Sequence, residues 1–111
     1  MSERFHLGAA AALAKLEAAR AERFITLFEH GTLAVEYYAP RGSDPQTPHS
    51  RDEVYVVAQG SGIFYDGVTR RAVAVGDLLF VAAGVEHRFE EFTEGFGVWV
   101  VFYGPEGGEK P

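Results

Sequence analysis

No cysteine occurs in this 111-residue chain, methionine and tryptophan occur once each, and ten basic residues face sixteen acidic ones. Without cysteine there is no disulfide, thiolate nucleophile or sulfur-ligated metal, and the composition fits a reducing cytoplasm. The net charge of −6 supplies no basic face for a phosphate backbone or an anionic bilayer, so neither nucleic acid nor membrane is expected as a partner. Long apolar runs are also missing: nothing approaches the ~18 residues a membrane-spanning helix needs. The alanine-rich stretch 7–14 is short and only weakly apolar, and Lys15 and Glu17 follow it at once, unlike a secretory leader. No repeat or low-complexity segment interrupts the chain. A soluble, cytoplasmic protein is expected.

What the chain does have is apolar and turn-forming. Hydrophobic residues make up 47%, with nine Phe and five Tyr, enough for one folded domain but not two. Thirteen glycines imply many tight turns. Residues 8–22 are rich in good helix formers, with Ala9, Leu13 and Leu16 at helical spacing and Glu17 and Arg20 placed to pair on the other side. That apolar stripe is thin, so the helix must dock on something. From Arg23 the period changes to that of strands. Two β-branched and aromatic runs flank Glu29-His30-Gly31 as a hairpin, and a Pro- and Gly-interrupted loop spans 39–46. Asp66-Gly67 marks a further short hairpin. About eight short strands at turn spacings near ten residues predict an all-β jelly roll or small barrel. The expected organisation is an N-terminal arm and helix over 1–22, a barrel over 23–104 and a flexible tail over 105–111.

Two stretches carry the chemistry. In the first, His49, three residues, Glu53, six residues and Gly60 follow one another; in the second, Gly76, Gly84 and His87 recur over 76–87. These resemble the two signature motifs of the cupin superfamily. Thr47 stands where the family's first histidine belongs, Ala82 replaces a proline, and Glu91 replaces an asparagine. The resemblance spans roughly residues 30 to 103 and implies a double-stranded β-helix, the jelly-roll cupin barrel, with a short N-terminal helix before it.

The resemblance, not the spacing, brings His87 to His49 and Glu53, although His87 lies 38 residues after His49. Two imidazoles and a carboxylate would then hold one divalent metal ion while leaving positions open, and nitrogen and oxygen ligands suit Fe, Mn, Ni or Zn. Because a Thr hydroxyl is a poor ligand, Thr47 would weaken the site or leave an extra water; the alternative is that the polar cluster only fills one end of the barrel. Strand alternation adds candidate substrate contacts: Thr47 shares a face with His49, Tyr55 with Glu53, and Phe89 and Glu91 with His87. Tyr55 and Glu91 could serve as acid and base. Asp52 and Glu86 fall on the opposite faces and read as surface charge, His6 and His30 as solvated groups, and Phe64, Phe80 and Phe89 as core or cavity wall.

Proteins of this kind include oxygen-dependent enzymes and sugar-phosphate isomerases or epimerases acting on small organic molecules. Of the arginines near the motifs only Arg51 shares the ligands' parity, which is too few cations for a phosphosugar. A non-catalytic module that binds or senses a small molecule is the competing expectation. The run Phe96 to Tyr103 is apolar on both faces, so a second layer, the helix or another subunit, should cover its outside; a homodimer is expected.

Overall fold

Alternating burial drives the architecture: eight strands place every second side chain inward, and the chain between them turns on glycines and Asx motifs. The structure is a computed structural model and describes residues 5–19 and 23–111. Its elements are α1 (Ala9–Ala18), β1 (Phe24–His30), β2 (Leu33–Tyr38), β3 (Asp52–Gln59), β4 (Ser61–Tyr65), β5 (Arg70–Ala74), β6 (Leu78–Val81), β7 (Arg88–Glu90) and β8 (Gly97–Tyr103). They form a five-stranded sheet in the order β1-β2-β8-β3-β6 and a three-stranded sheet in the order β5-β4-β7, antiparallel throughout. This is the expected jelly roll. No helix among the described residues is long and apolar enough to cross a membrane.

The core lies between the sheets. Tyr55 and Val57 of β3, Val98 and Val100 of β8, Val81 of β6 and Phe64 of β4 meet Phe89 of β7 and Phe96 there. The Phe89 ring lies 5.0–5.1 Å from those of Tyr55, Phe64 and Phe96, at the steep angles aromatic pairs prefer. Burial on this scale is worth about 1.5–3 kcal/mol for each large apolar side chain. The expected Asp66-Gly67 hairpin forms, with Asp66 Oδ1 accepting from the backbone N–H groups of Val68 and Thr69. The first-motif glycine, Gly60, adopts φ 74°, and a Cβ there would collide with Thr93 Oγ1, so only glycine fits the turn.

The helix packs on the outside of the larger sheet. Ala12 and Leu16 are its buried residues, with Ala9 and Leu13 partly covered, and they sit on Tyr37, Ala39, Ile25, Leu27 and Trp99. Trp99 meets Tyr37 edge-on at 5.2 Å. This accounts for the two-sided apolarity of β8: Val98 and Val100 face the core while Trp99 lies under the helix. Arg20, proposed to pair with Glu17, lies outside the described residues. Phe80, expected as core or cavity wall, instead projects from the outer face of β6 and is 56% exposed, because its register partner Val54 points outward while Glu53 and Tyr55 point in.

Two expectations meet at the C-terminus. Within 105–111, expected as a flexible tail, two backbone N–H groups bond to the loop before β3 and to its first residue. Gly107 N–H donates to the Ser50 carbonyl at 2.6 Å and Glu109 N–H to Asp52 Oδ2 at 2.7 Å. Asp52, read as surface charge, is therefore buried, and its other oxygen accepts from the Ala83 N–H at 2.9 Å. These backbone donors hold its carboxyl below the usual range. Parity put Asp52 on the outer face correctly; the returning tail is what covers it.

Candidate metal centre

Glu53 enters the barrel near the start of β3, paired with Val81 on one side and Phe102 on the other. His49 lies in the loop before β3, and His87 lies just before β7. The loops carrying the two histidines are stitched together: Gly84 N–H donates to the His49 carbonyl at 2.8 Å, beside the Ala83–Asp52 bond. The outcome is one cluster. His49 Nδ1 and His87 Nε2 each lie 2.9 Å from Glu53 Oε1, and one candidate ligand atom from each of the three residues lies within 4.8 Å of the others. Glu53 and His87 are fully enclosed, whereas His49 is about one-third exposed.

Protonation follows from the surroundings. A carbonyl can only accept, so Val85 O, 2.8 Å from His87 Nδ1, fixes a proton on that nitrogen and turns Nε2 toward Glu53. Tyr55 donates its single hydroxyl proton to Gln46 Oε1 at 2.9 Å, leaving its oxygen to accept from His87 Nε2 at 3.0 Å. Burial pushes His87 toward neutrality, yet the hydrogen bond to Glu53 and then that to Val85 O outweigh it and raise its pKa above 6.5. Burial likewise pushes Glu53 up, and the hydrogen bonds and charges of His49 and His87 overcome it and hold the carboxyl below 4.5. Both shifts favour a protonated His87 beside an ionised Glu53.

One atom is left over. Glu53 Oε2 is buried with no hydrogen-bond partner among the described residues. A buried carboxylate oxygen left unpaired is destabilising by about 1–3 kcal/mol or more. A cation in place of the His87 Nε2 proton would satisfy it, with two imidazole nitrogens and the carboxylate as donors. The donor set therefore fits a divalent metal.

The cluster opens into a cavity of about 520 Å³, bounded by the inward residues of β2 and β8 and by the loop 45–47. The family model described as a cupin domain matches residues 34–103, most of the strands and all three cluster residues. This chain is a cupin. An uncharacterised protein of Streptomyces coelicolor is 36% identical to it over 99 residues, covering 85% of the chain and 94% of that protein. Among solved structures, a cupin superfamily protein of Desulfitobacterium hafniense is similar with a TM-score of 0.66 at 18% identity, covering 93% of each chain. A Ralstonia eutropha protein provisionally named a mannose-6-phosphate isomerase is similar with a TM-score of 0.59 at 26% identity, covering 74% of this chain and 83% of that one.

Within this cupin the other sequence candidates separate. Thr47 and Tyr55 line the cavity. Phe89 does not: it points inward as expected but is spent in the core, and its N–H donates to Asp44 Oδ2 at 2.8 Å. Glu91 is not in the cavity either. β7 ends at Glu90, and Glu91 takes φ 47°, which breaks the alternation running through His87 and Phe89 and turns its side chain out to solvent beside Ser61 and Asp77. Arg51 is occupied elsewhere, donating to the Thr32 carbonyl at 2.6 Å.

Four polar cavity residues were not anticipated: Arg23, Glu36, Tyr38 and Gln46. Glu36 did leave a signal. It is the lone carboxylate in the apolar run of β2, on the inward face that pairs with Val100, and burial raises its pKa above 4.5 despite a hydrogen bond from Thr26. Gln46 and Tyr38 are held by Asp44, a buried carboxylate in the 39–51 loop. Asp44 accepts from the Tyr38 hydroxyl, from Gln46 Nε2 at 2.7 Å and from Phe89 N–H.

Proposed function

We propose that this cupin holds one divalent metal ion through His49, Glu53 and His87 and acts on a small organic molecule bound in the adjoining cavity. The observation carrying the reading is the buried, partnerless Glu53 Oε2 beside two imidazole nitrogens. A metal held there would supply Lewis-acid polarisation or an oxygen-binding position, with Fe, Mn, Ni and Zn all compatible with the donors. The chain's own part is to orient and to enclose. Val85 O sets the His87 tautomer, the Asp44–Gln46–Tyr55 chain fixes the hydroxyl beside it, and Phe24, Val100 and Phe102 offer apolar wall.

A dioxygenase-like or Lewis-acid reaction is favoured over sugar isomerisation. Arg23 is the one Lys or Arg lining the cavity among the described residues, and a phosphosugar calls for more. Purified from metal-supplemented medium, the protein should carry about one metal per chain, and the iron-reconstituted form should consume oxygen with a catechol, a thiol or a diketone. Metal bound with ligand uptake but no turnover across the panel would favour the binding or sensing role. Absence of metal under all loading conditions would end the reading.

The reading includes a cytoplasmic homodimer. Beyond α1, the outer face of the larger sheet leaves Leu78 67% and Phe80 56% exposed, adjoining Val54 and Val56. Light scattering at micromolar concentration should give twice 12.2 kDa; a monomer mass there would refute the dimer.

A further inference from the structure

Arg23 is held in place. It sits immediately before β1, lines the cavity with Phe24, Glu36 and Tyr38, and donates from Nη1 to the carbonyls of Arg41 at 3.1 Å and Ser43 at 2.8 Å. A guanidinium has five N–H donors in a rigid plane. The two on Nη1 are taken by the loop, while Nε and Nη2 have no partner among the described residues. That remaining edge carries two parallel N–H vectors, the pattern that grips a carboxylate through both oxygens.

The rest of the cavity limits what can dock there. Glu36 and Glu53 line it too, so with no metal bound a dianion would be repelled, and Arg23 is the one side-chain cation lining it that a phosphate would meet among the described residues. The walls between, Phe24, Val100 and Phe102, are apolar, and about 520 Å³ falls within the range of small-ligand sites. We propose that the cavity takes a singly charged organic carboxylate with an apolar or aromatic body, its carboxylate gripped side-on by the Nε–Nη2 edge of Arg23. This rests on the preceding reading that the cavity is the ligand site of the metal centre.

The test uses three probes on the full chain, with and without Mn²⁺: benzoate, its neutral isostere benzamide, and inorganic phosphate. Ligand-observed NMR gives the affinities, Mn²⁺ broadening places the probe beside the metal, and free-ion EPR gives Mn²⁺ affinity. On the metal-free chain benzoate should bind at least about tenfold more tightly than benzamide or phosphate, as expected for a charge-assisted pair. Arg23→Gln should erase that preference while leaving benzamide and Mn²⁺ affinities unchanged, and Arg23→Lys should restore only part of it.

Equal benzoate affinity in wild type and Arg23→Gln would overturn the proposal, as would phosphate binding best to the metal-free chain. Parallel loss of benzoate and benzamide would overturn it too, since that marks a loosened 41–46 loop and not a lost anion contact. The two readings fail separately. A protein that takes no Mn²⁺ but keeps an Arg23-dependent benzoate preference defeats the metal centre and leaves the carboxylate site standing.

Discussion

His87→Ala should leave the protein without bound metal. The substitution removes one of three donors from the cluster, so the loss should exceed the ~10–100-fold that follows from losing an outer partner of a ligand. Tyr55→Phe is the control for the surroundings of His87, because it removes a hydroxyl beside Nε2 and none of the three donors. Elemental analysis after dialysis should find metal in wild type and Tyr55→Phe and none in His87→Ala. The same alanine strands Glu53 without its buried counter-charge, a change that destabilises by about 3–5 kcal/mol when one member of a buried pair is removed. A denaturant midpoint on the metal-free proteins separates the two effects. His49→Ala guards against simple misfolding, since that side chain is about one-third exposed and the fold should survive its removal. Equal metal in wild type and both alanine variants would dismiss the site.

Acidity should act in opposite directions on the metal-free and metal-loaded protein. Glu53 has its pKa lowered in the fold, so its contribution to stability is present above 4.5 and is lost as pH falls through the depressed value. His87 has its pKa raised, so its contribution is complete below 6.5 and fades as pH climbs through the elevated value. The metal-free protein should therefore gain most from this pair between about 4.5 and 6.5 and weaken on the alkaline side. Metal binding has the reverse slope there. A cation must displace the Nε2 proton of His87, so apparent affinity should rise roughly tenfold per pH unit until His87 is neutral in the free protein. Thermal melts across pH 5 to 9, with and without Zn²⁺, would show the two curves separating above neutrality. Parallel curves would mean that the metal does not compete for that proton.

The strands were legible because period-two alternation and turn glycines are local signals. β1 through β8 fall where β-branched and aromatic runs lie, and the hairpins at Gly31 and Asp66-Gly67 follow from their turn residues. The three cluster residues were legible through motif spacing, with the resemblance supplying a convergence that no local rule contains. What escaped depends on backbone or chain return. Glu91 was misplaced because a single left-handed residue after β7 undoes the parity that works for His87 and Phe89. Asp52 was assigned the right face, yet a tail 57 residues away folds back to cover it. Arg23 and Gln46 reach the cavity from either end of a long excursion, and nothing in their immediate neighbours announces it. Glu36 was the one omission with a readable sign, a solitary acid inside a greasy strand.

Asp44 has a consequence for how molecules come and go. Its two oxygens fasten Tyr38, Gln46 and the β7 backbone at once, so peeling back the 39–51 segment would abandon a charge in an oily pocket with several donors unmatched. That segment is therefore a fixed wall, not a swinging door. Visitors have to slip past the exposed rim at Arg23 and Thr47, and the dwell time of a bound compound should depend on its grip on the walls, not on any gate rhythm of the protein.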